Sequence, residues 1–390
     1  MFIIAHFGHH VVGAMLNPLM PLIRDELSLN YTQAGVVISA FSITSGIAQL
    51  PAGWLADRFG ARLMVLISVS GVAVAGLLVG LSQTYLQLIA GLVLVAILGG
   101  GYHPSSATAI STIIPPERRG RALGLHLIGG SSSFWVVPLL AAPVAAASGT
   151  WRTPYVSFTV PVIILGIALY ILMGRQSHIT VRLPEPAIKN VPPSPDRIHW
   201  VTLAPFIIMT VATGTFAQSV AAYYSLYMVD HYGLSAPTAA SLTAISPMVG
   251  AFAAPLGGYL ADRYGSKRVM VVTSLVAGPL LFTLGNMPTI VLFVVLLLLM
   301  GFVNMTRMPT SESYIVNNIP AHRRSSILGI YFFAGAEVSG LLTPLMGRVI
   351  DTRGFSTAFT IASSTIAAVA VICSLILWRF GKSSGTQVQD

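Results

Sequence analysis

Cysteine and charge are both scarce in this 390-residue chain. It has one cysteine, Cys373, and 8% of its residues are charged. A lone cysteine excludes an internal disulfide and any cysteine-based metal cluster; within its apolar segment Cys373 is expected to face lipid. A soluble globular protein carries roughly a quarter charged residues, so charge this sparse excludes an ordinary soluble domain. There is no GxxxxGK[ST] phosphate loop, no HExxH metal site and no GxSxG serine elbow. The chain is therefore not expected to be an enzyme, to use ATP, or to hold a metal ion or cofactor. Residues 1–23 lack the basic start and small-residue cleavage site of a leader and carry histidines instead, so they are expected to persist as a first span.

What is present is apolar residues in long runs. Hydrophobic residues make up 54% of the chain, in stretches of about 20 that do not alternate as strands do. Backbone groups inside a bilayer must be satisfied internally, which leaves helices or closed barrels; the unalternating runs select helices. They place twelve spans near 2–23, 32–56, 63–82, 85–113, 121–148, 153–174, 199–229, 236–261, 268–286, 288–317, 325–350 and 355–379. Between the sixth and seventh lies RQSHITVRLPEPAIKNVPPSPDRI, with five prolines and six charges, which reads as a flexible linker. The predicted fold is an all-α integral membrane protein: a bundle over 1–174, a cytoplasmic linker over 175–198, and a bundle over 199–390.

Basic residues orient this arrangement, because Lys and Arg resist translocation. Placing the 57–62 loop in the cytoplasm puts sixteen of the 21 basic residues on that side, against Arg24, Arg152, Arg348 and Arg353 on the other. Both termini are then cytoplasmic, in a multi-pass protein of the cytoplasmic membrane. The formal charge of +9 is a topology signal; the clustered soluble surface that nucleic-acid binding needs is missing.

One charged phrase occurs twice: GWLADRFGAR at 53–62 and GYLADRYGSK at 258–267, offset by 205 residues. The same offset carries Pro104 onto Pro309, Pro115 onto Pro320, Arg118 onto Arg323, Arg119 onto Arg324, Gly124 onto Gly329 and Gly130 onto Gly335. The two halves thus read as copies of one six-helix unit with parallel topology. Secondary transporters are built this way, with a site near the midplane where the repeats meet.

On these residues the chain resembles the major facilitator superfamily along its whole length; the GxLaDrxGrk phrase between the second and third spans, and its second copy between the eighth and ninth, carry the likeness. The resemblance implies a gating turn at each copy, in which the aspartate latches onto the facing half and the glycines let helices approach. The main latch would be Gly53, Asp57, Arg58, Gly60 and Arg62, and the symmetric one Gly258, Asp262, Arg263, Gly265 and Lys267. Within the superfamily the chain is similar to fosmidomycin-resistance exporters at YHPSSATA (102–109), AYYSLYMVDHYGLS (222–235) and PLIRDELSLNYTQAG (21–35). It departs from them at Ser105, where those relatives carry an acidic residue. Residues 124–138, GLHLIGGSSSFWVVP, also lack the GxxxGPxxGG element of proton/drug antiporters.

Ionisable residues inside spans are costly and point to function. In the first span His6, His10, Gly13 and Asn17 share a face, with His9 nearby; His10 and Asn17 would line a cavity or tie helices together. In the fourth, His103 stands beside a kink expected at Pro104, as a ligand- or proton-binding group or a histidine satisfied by a freed carbonyl. The tenth span reads NMTRMPTSESY (304–314). Its Arg307 needs a counter-ion, an anionic substrate, or both. Glu312 and Glu337 are the carboxylates available, as proton carriers or as ion-pair partners. Tyr224, Tyr227 and Trp135 suit an amphipathic cavity, and equally packing or an interfacial belt.

The expected function is secondary active transport of a small anionic organic solute, coupled to protons, by a monomer in the bilayer. The alternatives are a proton-antiporting exporter of drugs or amphiphiles, and a transporter-like solute sensor. Such sensors usually append a signalling domain, and GKSSGTQVQD at 381–390 carries none.

Overall fold

The computed structural model describes residues 1–114, 116–176, 198–320 and 323–380, which are helical with no β-strand among them. The expected linker lies, apart from its ends, outside the described residues. The helices gather into two compact units, Met1–Ala187 with Ala222–Pro247, and Ile188–Ala221 with Met248–Asp390.

The first unit opens with α1 (Phe2–Leu27) and α2 (Tyr31–Phe59). Asn30 starts α2 with a capping box: its side chain accepts the Gln33 N–H at 2.8 Å, and the Gln33 side chain accepts the Asn30 N–H at 3.0 Å. Next, α3 (Ala61–Leu66) runs through a π turn (Ile67–Gly71) into α4 (Val72–Leu81). Then α5 (Tyr85–Gly99) is separated from α6 (Tyr102–Ile113) by a break at Gly100–Gly101. Pro104 explains the break, since it has no N–H to give the Gly100 carbonyl. Gly100 also packs against α2, where an added β-carbon would lie 2.7–2.8 Å from Ala48 atoms. The long α7 (Pro116–Ser148) and α8 (Arg152–Gln176) follow. After α9 (Trp200–Ala221), the chain returns to this unit as α10 (Tyr224–Tyr232) and α11 (Ala236–Leu242).

The second unit contains α9, most of α12 (Ile245–Tyr264), α13 (Ser266–Leu284), α14 (Ile290–Asn317) and α15 (Arg324–Phe380). Leu203, Phe206 and Met209 of α9 pack with Met270, Ile315, Ile319, Cys373 and Leu377. Cys373 is 5% exposed there, which corrects the expectation that it faces lipid. A thiol behaves as a small hydrophobe, and this one fills a gap beside methionines.

Among the described residues, nine helices are long and apolar enough to cross a membrane. There are ten if Ala236–Ala253 and Pro255–Tyr264, bent by 46°, form one span. Two features separate these numbers from the twelve runs of the sequence. α1 is interrupted by His6, His9, His10, Asn17 and the charges at its end. Ile327–Phe380 is continuous over 54 residues, against the ~20 a bilayer needs. That helix turns at Gly354, φ +80°, between runs that the sequence separates at 350 and 355.

Candidate functional site

The duplicated phrase folds the same way twice. Gly60 ends α2 with φ +83° and ψ 142°, and Gly265 ends α12 with φ +87° and ψ 132°; only glycine takes that backbone without strain. The N–H of each reaches the carbonyl four residues back, Ala56 and Ala261, at 2.9 Å. The closing basic residues also behave alike. Arg62 Nε donates to the Tyr170 carbonyl at 2.7 Å, with its guanidinium 3.9 Å from the Tyr170 ring centre. Lys267 Nζ donates to the Leu377 carbonyl at 2.7 Å. Each ties the helix after the turn to the last long helix of its own sequence half.

The rest of the phrase is more open. Arg58 is exposed, 5.5 and 5.9 Å from the ring centres of Trp54 and Phe59. Gly258 is half-buried and Asp262 exposed, while Arg263 Nη1 donates to the Tyr259 hydroxyl at 2.7 Å. The side chains of Asp57, Arg119, Arg121 and Arg324, and the surroundings of Gly53, lie outside the described residues.

In the first unit the structure gathers histidines. His6 is buried and gives its Nδ1–H to the His126 carbonyl at 2.9 Å, since a carbonyl can only accept. His10, half-buried, brings its Nε2 to 3.2 Å from His6 Nε2. The His103 ring centre is 5.2 Å from that of His6 and 5.5 Å from that of His10. His9 stacks on Tyr102 at 4.5 Å and directs Nδ1 at the Ser68 carbonyl of the π turn, 3.5 Å away. His126 stacks on His6 at 4.2 Å, and its Nδ1–H donates to the Phe2 carbonyl at 3.1 Å. Sequence reading names His6, His9, His10 and His103 and misses His126. The signal available is that the chain holds only nine histidines, so a histidine in an apolar run merits notice.

The remaining first-unit candidates sit apart from this cluster or at its edge. Phe134 places its ring 5.2 Å from His10. Next to it, Trp135 encloses its Nε1–H with no hydrogen-bond partner among the described residues. The Asn17 carbonyl accepts the Ser225 hydroxyl at 2.6 Å. Tyr224 and Tyr227 are buried, and Tyr227 stacks on His231 at 4.7 Å.

A charged cluster that the sequence does not announce stands at the opposite end of α2 from the Gly60 turn. Arg24 grips Asp230 with two nitrogens and also donates to Asp25 at 2.8 Å. The Tyr31 hydroxyl donates to the same Asp230 at 2.6 Å, and Tyr223 donates to the Tyr31 carbonyl at 3.2 Å. Arg24 and Asp230 are 206 positions apart, and each alone looks like a helix-end charge that only sets topology. Nearby, Arg152 pairs with Glu26 and donates to the Ser82 carbonyl at 2.7 Å.

In the second unit Arg307 is 5% exposed. One Nη donates to the Thr210 carbonyl at 2.7 Å, while Nε has no partner among the described residues. No described carboxylate lies within 4.0 Å of its guanidinium. The Arg307–Glu pairing considered from sequence is thus not formed. Ser311, one turn on, accepts the Tyr331 hydroxyl at 3.0 Å. Glu312 and Glu337 are half-buried, and Glu337 Oε1 is enclosed without a partner among the described residues. This region offers a buried permanent cation beside hydroxyls, with separate carboxylates on α14 and α15.

Known proteins resemble this chain throughout. The multidrug resistance protein MdtG of Enterobacter lignolyticus (strain SCF1) is 28% identical over 398 residues, covering 98% of this chain and 93% of the relative. The MdtG of Serratia proteamaculans (strain 568) is 28% identical, with 94% and 91% covered. Among solved structures, the fold matches a bacterial homolog of the human lysosomal transporter Spinster, inward-facing and occupied. The TM-score is 0.74 at 16% identity, covering 99% of this chain and 96% of that one. It also matches the peptide transporter POT in complex with sulfate, at TM-score 0.79 and 12% identity, with 98% and 94% covered. The family model of the Major Facilitator Superfamily matches residues 2–344 and again 206–388. By these matches the chain belongs to the Major Facilitator Superfamily, and it is a multi-pass membrane transporter of small molecules, not an enzyme.

Proposed function

We propose that the chain is a proton-coupled secondary transporter of a small organic anion, working by alternating access. Arg307 is the observation that carries this reading. A buried guanidinium keeps its charge, and this one has no carboxylate within ion-pair distance among the described residues. Arg307 attracts the anionic group of the solute, and Glu312 or Glu337 takes and releases the proton. Glu337 Oε1, enclosed without a partner among the described residues, supports that role, because an enclosed, unpaired carboxylate oxygen is costly to ionise.

The solute path is lined by His10, Asn17, His103, Trp135, Tyr224 and Tyr227. Asp57 and Asp262 act as latches at their turns. In this reading the contacts of the Arg24–Tyr31–Asp230 cluster are made in one conformation of the cycle and broken in another. The protein works as a monomer in the cytoplasmic membrane. Its twelve spans form two six-helix halves, 1–174 and 199–390, joined by the linker 175–198, with both termini in the cytoplasm.

The test is flux in proteoliposomes with an imposed pH gradient, across a panel of organic anions, neutral solutes and amphiphilic cations. Proton-driven flux of an anion, lost in Arg307→Ala, is the expected result. Full anion transport by Arg307→Ala overturns the assignment of that residue. A second reading, export of drugs or amphiphiles by proton antiport, is favoured by the name that the 28% identical relatives carry. In that case the carboxylates contact a cationic cargo, and the same panel separates the two.

A further inference from the structure

We infer that His6, His10 and His103 form a binding site for a transition-metal ion of the zinc class. One nitrogen from each of the three rings lies within 4.8 Å of the other two. The ring centres stand 5.0, 5.2 and 5.5 Å apart. Three imidazoles on a tetrahedral ion, at a Zn–N distance of about 2.0–2.1 Å, put their ring centres roughly 5 Å apart. The His6 and His10 Nε2 atoms, at 3.2 Å, are already at the ~3.3 Å edge of such a tetrahedron. His103 closes the remaining gap by side-chain rotation.

The surroundings orient the ligands. His6 spends its Nδ1–H on the His126 carbonyl, which leaves the Nε2 lone pair facing His10. Metal-bound histidines characteristically hold their second nitrogen this way. The proton that His10 Nε2 shares with His6 moves to His10 Nδ1 when the ion takes its place. Gly130 of α7 leaves room for the His6 ring, because a β-carbon there would collide with it. Imidazole-only ligation suits zinc, copper, nickel or cobalt and not magnesium or calcium, which want oxygen. No carboxylate belongs to the group among the described residues. Three neutral ligands leave a divalent ion its full charge and a fourth position open, which an anion such as hydroxide or a carboxylate group would fill. This site stands or falls apart from the nature of the cargo, since it is read by binding alone.

The test uses full-length protein in detergent, purified without a polyhistidine tag and stripped with chelator. Titration with Co2+ should give the visible absorption of a four-coordinate ion at one equivalent, and Zn2+ should displace it. His6→Gln, His10→Gln and His103→Gln should each weaken Zn2+ binding by more than about 100-fold, beyond the roughly 10–100-fold that an outer-shell partner is worth. His199→Gln and His231→Gln, at exposed histidines, should leave it unchanged. His10→Cys should keep cobalt and add a thiolate-to-cobalt charge-transfer band, a positive signal that a misfolded variant cannot give. Absence of stoichiometric binding by the wild type overturns the site. So does binding that survives all three glutamine variants, or a folded His10→Cys protein, with the thermal melt of the wild type, whose cobalt spectrum lacks the new band.

Discussion

The two copies of the Gly–Asp–Arg turn and the two helices that follow them in register make an instructive pair. At the turns, residues 205 positions apart adopt one conformation: Gly60 and Gly265 share a positive φ, and Arg62 and Lys267 each donate to a main-chain carbonyl. At the matched positions 102 and 307 the likeness ends. Tyr102 lies in a cluster with His6, His9, His103 and His126, whereas Arg307 is a buried guanidinium. A tyrosine among imidazoles presents groups that gain or lose a proton or bind a metal ion, and an arginine presents a charge that cannot be removed. Duplication has kept the backbone device and let the chemistry of the spans diverge.

That contrast can be broken most directly at its cationic end. Arg307→Ala should lower kcat/KM for an anionic solute by at least ~100-fold, about 2.7 kcal/mol of lost stabilisation. Arg307→Lys should recover only part of it, because an ammonium cannot replace a planar fork. Counterflow in proteoliposomes measures both. The likeness of the turns is sharpened by Gly60→Val and Gly265→Val, each expected to cost about 1–3 kcal/mol through forced backbone strain. Thermal unfolding in detergent should show similar losses for the two; a loss at only one turn would break the symmetry.

Smaller effects test the ties beyond the turns. Arg62→Ala and Lys267→Ala should each destabilise by about 1 kcal/mol, within the range of polar contacts between membrane helices, as read from the same melts. Asp230→Asn should cost least in stability, ~0.2–1 kcal/mol, since the Arg24 pair is partly exposed. It should also speed labelling of a cysteine placed at Tyr31, which stopped-flow fluorescence would detect.

Much of this organisation is legible in the sequence because charge is rare. A charged phrase in an apolar chain stands out, and its repetition locates both turns and the duplicated framework. Four of the five clustered histidines are legible for the same reason, three from helical spacing in α1 and one from its place beside Pro104. His126 is not, because its partners come from α1 and α6 and no local pattern announces them. The Arg24–Asp230 pair is hidden likewise, and so is the burial of Cys373, because apolar composition looks the same on the buried and lipid-facing sides of a span. Arg307 is conspicuous from sequence, but its lack of a carboxylate partner depends on how α14 and α15 are rotated.

The return of Ala222–Pro247 to the first unit bears on how the protein can be divided. Ser225 and Asp230 satisfy groups on α1 and α2, yet they are synthesised only after α9. A fragment ending at residue 176 would therefore leave Arg24, the Tyr31 hydroxyl and the Asn17 carbonyl without these partners. Expressed alone, such a fragment is expected to be degraded, and to be rescued when the rest of the chain is supplied in trans.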